Sequence, residues 1–298
     1  MRIGIDLGGT KIEGIALSDT GRILASRRVT TPRGEYATIL GAIADVVAHL
    51  EREAGQHGSV GVGTPGALSP ASGLLRNSNS TELNGRPVKA DLETLLGREI
   101  RIANDANCFA LSEAVDGAAA GASCVFGVII GTGVGGGIVL NGRVWNGRNA
   151  IGGEWGHNPL PWPFDHERPG PDCYCGRRGC IETFLSGPGL ARDYESLAGK
   201  RLQGPEIVAL SERKDEVAET VLRRYEERLA RALAHIINVL DPDAIVLGGG
   251  VSNMPRLYLN VPALWGGYIF SDVVNTRLLP PRYGDASGVR GAAWLWNE

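Results

Sequence analysis

The feature that most limits the fold of this chain is an internal correspondence at an offset of 123 residues. Gly4-Ile5-Asp6-Leu7-Gly8-Gly9-Thr10 aligns with Gly127-Val128-Ile129-Ile130-Gly131-Thr132-Gly133, and Gly14-Ile15-Ala16-Leu17 with Gly137-Ile138-Val139-Leu140. Each copy reads as a buried strand, a glycine turn and a second strand, so a duplicated domain with a glycine hairpin on each side of a cleft is expected. The tip Gly8-Gly9-Thr10-Lys11 offers N–H groups, a hydroxyl and an amine, a set that can hold phosphate oxygens without the pattern of a Walker loop. Asp6, at the end of the first strand, is placed to meet Mg²⁺ or its waters. The second copy has Ile129 there, so only the first half carries that carboxylate. An ordinary hairpin with a polar tip is the plainer alternative for either copy taken alone.

A second constraint is a knot of soft ligands. Cys173, Cys175 and Cys180 fall within eight positions of a chain with only five cysteines, and His157 precedes them by 16. A Cys₃His set fills a tetrahedral Zn²⁺ shell, which makes the site structural and leaves no position for a metal-bound water. The odd cysteine count and the short CxC spacing argue against disulfides. Glu154 stands three residues before His157, and Glu182 two after Cys180. A metal there would hold two carboxylates and an imidazole in one place, as a polyol site needs.

The remaining motifs sit at strand ends. Glu99 to Ala103 reads as a strand, followed by Asn104-Asp105 and an alanine-rich helix reaching about Ala120. Either residue could be the helix N-cap, while an Asp at the carboxyl end of a strand in an α/β sheet is also a candidate general base. Ala244 to Leu247 reads as a buried strand closed by Gly248-Gly249-Gly250, where a flat ligand could lie against backbone. Thr38 to Gly55, Pro205 to Ser211, Glu216 to Leu240 and Val289 to Trp296 read as helices. Asn77 to Thr81 reads as a polar loop. With 43 glycines, about twice the usual share, the chain concentrates its tight turns at these sites.

A net charge of −3 gives no basic footprint for nucleic acid or an anionic membrane. The strand-like run directly after Met1 leads us to expect no secretory signal or membrane span, and a cytoplasmic setting. Trp145, Trp155, Trp162 and Trp265 are candidates for a homodimer interface, although burial is the commoner role of tryptophan.

Taken in order, Asp6-Leu-Gly-Gly-Thr-Lys11, Asn104-Asp105, Glu154-x-x-His157, Cys173-x-Cys-Gly-x-x-Gly-Cys-x-Glu182 and Gly248-Gly-Gly250 resemble the ROK family (repressors, open reading frames, kinases) over essentially the whole chain. The intervening sequence looks like the bacterial fructokinase, or manno(fructo)kinase, branch. The resemblance implies the actin-like ATPase (ribonuclease H-like) fold, with two α/β domains around a central cleft: residues 1–117, completed by a C-terminal helix at 287–298, and residues 118–286 with the zinc segment. It implies ATP- and Mg²⁺-dependent phosphorylation of a hexose, fructose first and mannose or glucose beside it, at the 6-hydroxyl. On matching positions it makes Asp105 the general base and Gly66, Asn79, Asn104, Asp105, Glu154, His157 and Glu182 sugar ligands. Gly4, Asp6, Gly8, Gly9, Thr10, Lys11, Gly131, Thr132, Gly133, Gly249 and Gly250 would hold ATP, and His157, Cys173, Cys175 and Cys180 Zn²⁺. Fifteen residues separate His157 from Cys173, more than in many family members, and the proline-rich excess could cover the sugar site or meet another subunit. A sugar-responsive regulator or sugar-binding protein without kinase activity is the alternative reading.

Overall fold

The structure is a computed structural model that describes residues 1–298 apart from Arg33, Asn79 and Glu298. In chain order it contains β1 (Arg2–Leu7), β2 (Lys11–Leu17), β3 (Ile23–Thr30), α1 (Tyr36–Ala54), β4 (Ser59–Thr64), β5 (Ala67–Leu68), β6 (Leu75–Arg76), α2 (Val88–Leu96), β7 (Ile100–Asn104) and α3 (Asp105–Val115). There follow β8 (Cys124–Ile130), β9 (Val134–Leu140), β10 (Arg143–Val144), α4 (Ile181–Leu185), α5 (Gly187–Ala198), α6 (Gly204–Glu212), α7 (Glu216–Leu240), β11 (Ala244–Gly248), α8 (Leu257–Trp265), β12 (Arg277–Leu279) and α9 (Ser287–Trp294). The repeat holds to the residue at three ends: Leu7, Lys11 and Leu17 match Ile130, Val134 and Leu140. Among the described residues no helix is long and apolar enough to cross a membrane.

The chain divides into two compact units. One comprises Met1–Ser123, Gly137–Gly153 and Arg282–Glu298, the other Cys124–Gly136 and Glu154–Pro281. The first therefore takes in the end of β9 and the hairpin after it, which a single division at residue 117/118 does not anticipate. A close approach explains this. A Cβ on Gly137 would stand 2.6 Å from the Ala106 carbonyl oxygen, so glycine lets this stretch lie directly on the first turn of α3.

In the first unit the sheet runs β3-β2-β1-β4-β7, with β1, β2 and β3 antiparallel and β1, β4 and β7 parallel. The fully buried Ile3, Ile5, Val60, Val62 and Ile100 of its strands join Ile43, Val46 and Leu50 of α1 in one core. The period of α1 thus has a clear partner, and Gly55 ends the helix in the left-handed conformation expected of a C-terminal glycine. On the other side, a Cβ on Gly4 or Gly61 would collide with the backbone of α9, so these glycines let that helix lie against β1 and β4. α3 ends at Val115, short of the expected Ala120. The fully buried Glu113 explains the turn that follows, because it accepts from Ala118 N at 2.8 Å, Arg282 N at 3.0 Å and Ser287 Oγ at 2.7 Å.

In the second unit β8, β11 and β12 are parallel neighbours. The 25-residue α7, N-capped by Asp215, buries Val221, Leu222, Tyr225, Leu229 and Leu233. The proline-rich stretch is fastened to this helix. Buried Glu167 receives Arg228 Nε at 2.8 Å and Arg231 Nη2 at 2.9 Å, and Arg231, 0% exposed, also donates to the carbonyls of Pro161 and Trp162. Burial alone would raise the Glu167 pKa, but the two guanidinium partners hold it down to about 2. This part of the loop is an internal strap. Trp155 and Trp265 are core residues, whereas Trp145 and Trp162 are 49% and 48% exposed.

Candidate active site

The site residues of the first unit gather at the carboxyl edge of its parallel strands. Asp6 on β1 is level with Gly63 on β4, which is level with Ala103 on β7, next to Asn104-Asp105. The β4 residue level with Asp6 is thus a glycine, and a Cβ there would lie 3.2 Å from the buried Cys108 Sγ. Asp6 is half-buried and its pKa is raised to about 6, by burial first and then by the negative charge of Asp105. Burial also raises the pKa of Asp105, against the opposing hydrogen bond from Ala106 N at 2.8 Å. Its surface is open to water, yet protein atoms crowd the carboxyl closely enough for desolvation to dominate.

The choice of cap is resolved by geometry. Asn104 is the N-cap, its side-chain oxygen accepting from Asn107 N at 2.8 Å, and Asp105 is the first helical residue. The cap role leaves Asp105 for chemistry and ties up one acceptor of Asn104.

The first hairpin closes through Gly8 N to Lys11 O at 2.9 Å, while Thr31 anchors it with its hydroxyl on Gly8 O at 2.7 Å. Gly9 and Thr10 form the exposed tip. Lys11 Nζ lies 3.2 Å from Glu13 Oε2. Gly4 is accounted for by α9, as above. Gly66, at φ 81°, makes a turn in which a Cβ would meet the backbone of Arg76 and Ser78. Asn79 lies outside the described residues. Ser78 before it is pinned by Asn84, which accepts from Ser78 N at 2.9 Å and donates to Ser78 O at 2.8 Å.

The second unit holds the soft-ligand cluster. One donor atom from each of His157, Cys173, Cys175 and Cys180 lies within 4.8 Å of all the others. Nδ1 of His157 is 3.5 Å from Cys173 Sγ, and the sulfurs of Cys175 and Cys180 are 3.6 Å apart. Burial raises the Cys180 thiol, while a backbone N–H from Arg177 lowers Cys175. All five cysteines are free thiols. The soft donors, their number and their separation fit a tetrahedral ion of Zn²⁺ size.

Glu182 is tied to the soft-ligand segment and to the second hairpin. Glu182 donates its backbone N–H to Gly156 O at 2.9 Å, and its Oε2 accepts from Val134 N at 2.9 Å. Trp155, between Glu154 and Gly156, donates its indole N–H to Gly135 O at 3.0 Å. The outer ring nitrogen of His157 faces Tyr174 Oη at 2.9 Å. Neither Val134 nor Tyr174 was expected from the sequence; only the x of the CxC spacing marks Tyr174, and a backbone donor leaves no mark.

Beside the second hairpin is a cavity of about 550 Å³ lined by Gly131, Thr132 and Gly250, three of the expected nucleotide residues, together with Pro188, Pro205 and Val208. Gly249, which precedes the lining Gly250, has φ 81°, and a Cβ there would collide with the Ile130 backbone. A flat base with a polar edge suits such a pocket. Of its helical walls, α6 lies where a helix was expected over Pro205 to Ser211, whereas α5, which begins Gly-Pro-Gly, was not expected.

The profile of the ROK family matches residues 2–298. The chain is 42% identical over 300 residues, 99% of each protein, to an N-acetyl-D-glucosamine kinase of Escherichia coli O127:H6, and likewise 42% identical to one of Salmonella paratyphi C. It resembles the crystal structure of a ROK hexokinase from Thermus thermophilus, with 34% identity, TM-score 0.88 and coverage of 99% and 97% of the two chains. A ROK glucokinase from Streptomyces griseus, solved with glucose and AMPPNP, matches at 27% identity, TM-score 0.77 and coverage of 98% and 97%. The curated relatives are thus named for N-acetyl-D-glucosamine, and the expected fructokinase branch gains no support from them. The fold is the actin-like ATPase fold of these neighbours, and the chain belongs to the ROK family as one of its sugar kinases.

Proposed function

We propose that this protein is an ATP-dependent N-acetyl-D-glucosamine kinase that phosphorylates the 6-hydroxyl. The observation that carries the reading is 42% identity over 99% of both chains to a kinase of that sugar. The carboxylates Asp6 and Asp105, the soft-ligand cluster and the cavity lined by Gly131, Thr132 and Gly250 support the kinase part of the reading.

In this reading Asp105 accepts the proton of the 6-hydroxyl as its oxygen attacks the γ-phosphorus of ATP, and the bond to the β-phosphate oxygen breaks to release ADP. Burial raises the Asp105 pKa, which makes its carboxylate a better proton acceptor in the transition state. Asn104, Glu154, His157 and Glu182 orient the sugar by its other hydroxyls, with Gly66 and Asn79 as further ligands. The tips Gly8–Lys11 and Gly131–Gly133 present donors to the phosphates, and the cavity beside Gly249-Gly250 takes the adenosine. Mg²⁺, when bound with ATP, gathers β- and γ-phosphate charge, and Asp6 would hold it or its waters. His157, Cys173, Cys175 and Cys180 would hold Zn²⁺, which would rigidify the segment that carries Glu154, His157 and Glu182.

ADP release measured with single sugars tests the assignment. Turnover with N-acetyl-D-glucosamine is expected; ADP release with fructose, mannose or glucose but not with N-acetyl-D-glucosamine would overturn the substrate, and none with any sugar would favour a regulatory or sugar-binding role.

A further inference from the structure

Within the first unit, the loop of residues 146–152 is bonded to two turns that carry candidate site residues. Asn107, 7% exposed on the first turn of α3, donates from Nδ2 to Asn146 Oδ1 at 3.3 Å. The backbone N–H of the same residue is the one that Asn104 caps, at 2.8 Å. Asn107 thus joins the Asn104-Asp105 turn to Asn146. Farther along the loop, Asn149 O accepts from Arg76 Nη2 at 3.1 Å. Arg76 pairs with Ala67 across β5 and β6, and a Cβ on Gly66 would stand 2.3 Å from the Arg76 carbonyl oxygen. The Gly66 turn therefore rests on the backbone of a residue whose side chain holds the loop.

The loop itself is tightly wound. Gly152 N donates to Asn146 O at 2.9 Å and Ala150 N to Gly147 O at 3.3 Å. Gly147, Ala150 and Gly153 have φ of 71°, 52° and 91°, and a Cβ on Gly152 would meet Trp145 O at 2.4 Å. Alanine enters the left-handed region only where its surroundings hold it there, so this loop can transmit position rather than absorb it. Side-chain bonds at Asn146 and Asn149 thus link the Asn104-Asp105 turn and the Gly66 turn through one braced segment.

We propose that Asn107 is a positioning residue for the sugar. Through Asn146 it clamps the loop that Arg76 holds from the other side, and so keeps the Gly66 turn in register with the turn that carries the general base. Asn107 acts without touching the sugar. A reactant held slightly out of line loses much of the benefit of being bound, which gives such a clamp its value. This inference rests on the kinase reading, in which Gly66 and Asn104 meet the hexose and Asp105 takes its proton, and adds to it the device that keeps these turns together.

The test is Asn146→Ala in the full-length, zinc-loaded protein, because Asn146 is exposed and its backbone bond from Gly152 survives the change. Asn107→Ala and the double variant complete a cycle, and Asn146→Asp keeps an accepting oxygen for Asn107. We measure Tm, KM for ATP, and KM and calorimetric Kd for N-acetyl-D-glucosamine or whichever hexose the wild type turns over. In Asn146→Ala the sugar KM and Kd should rise together about two- to tenfold, the range for one lost neutral hydrogen bond, with KM for ATP unchanged. The double variant should be no worse than the worse single one, and Asn146→Asp should match wild type. A sugar KM that stays put while Tm falls, a rise shared equally by ATP, or additive losses would overturn the inference and leave the kinase reading intact. Wild-type protein that turns over no sugar would overturn both.

Discussion

The carboxylate of Glu182 accepts a hydrogen bond from the backbone N–H of Val134 at 2.9 Å. One residue therefore faces both the soft-ligand segment and the end of the second glycine turn, and Gly187 N adds a bond to Gly131 O at 2.8 Å. A Cβ on Gly133 would lie 2.6 Å from the same carboxylate oxygen, so the glycine is what permits this closeness. Glu182→Ala should raise KM for ATP as well as for the sugar, the ATP effect being about three- to tenfold for one backbone bond lost. Initial rates at varied ATP and saturating sugar check it. An unchanged KM for ATP would limit Glu182 to the sugar.

Metal removal should reach the sugar ligands before the nucleotide. Cys175→Ser leaves three ligands, and Zn²⁺ and hexose affinity should fall together, while binding of an ATP analogue changes less. Atomic absorption and calorimetry on the same preparation decide this. A zinc-free variant that binds the sugar as tightly as wild type would show that Glu154, His157 and Glu182 hold their places without the ion.

Asp6 gives a pH signature. Its folded pKa of about 6 lies above the ordinary 3.8, so the folded state prefers the protonated form. Stability from this group is complete below about pH 4 and is lost as pH rises through about 6. Asp6→Asn should accordingly raise Tm of the metal-free protein above about pH 6 and leave it alone below about pH 4, while abolishing Mg²⁺-dependent turnover. Calorimetric scans across this range are the check; a Tm gain at low pH only would reverse the sign and refute the buried-carboxylate account.

Asp105→Asn separates chemistry from folding. Because Asn104 is the cap of α3, the substitution spares the capping bond and keeps an amide oxygen for Ala106 N, so it should not lower Tm. Removing a buried carboxylate should if anything raise it near neutral pH. Removal of a general base should lower kcat by at least ~10²-fold, with sugar and nucleotide binding kept. A variant retaining more than about a tenth of kcat would send the search for the base to Glu154.

What could be read from the sequence follows its local physics. The two hairpins were legible because glycine turns between apolar strands need no distant partner, and their ends coincide under the 123-residue offset. The soft-ligand cluster was legible because its spacing is short. By contrast, α5 (Gly187–Ala198) hides behind Gly-Pro-Gly, although Ser186 caps it through Gly189 N at 3.2 Å. The proline-rich stretch looked like a cover or an interface because its anchor, Glu167, finds Arg228 and Arg231 more than 60 residues away. The return of Gly137–Gly153 to the first unit likewise depends on a backbone approach to α3 that no local pattern records. The sugar itself was not legible for a related reason: the choice among hexoses rests on how a few substituents of the ring are met, which motif spacing does not encode.

The central claim is tested most directly by competition in one vessel. Equimolar N-acetyl-D-glucosamine and fructose are offered with limiting ATP and Mg²⁺, and the sugar phosphates are quantified by mass spectrometry, so that their ratio reports the ratio of kcat/KM. The account predicts that N-acetyl-D-glucosamine 6-phosphate dominates; a product pool dominated by fructose phosphate would contradict it.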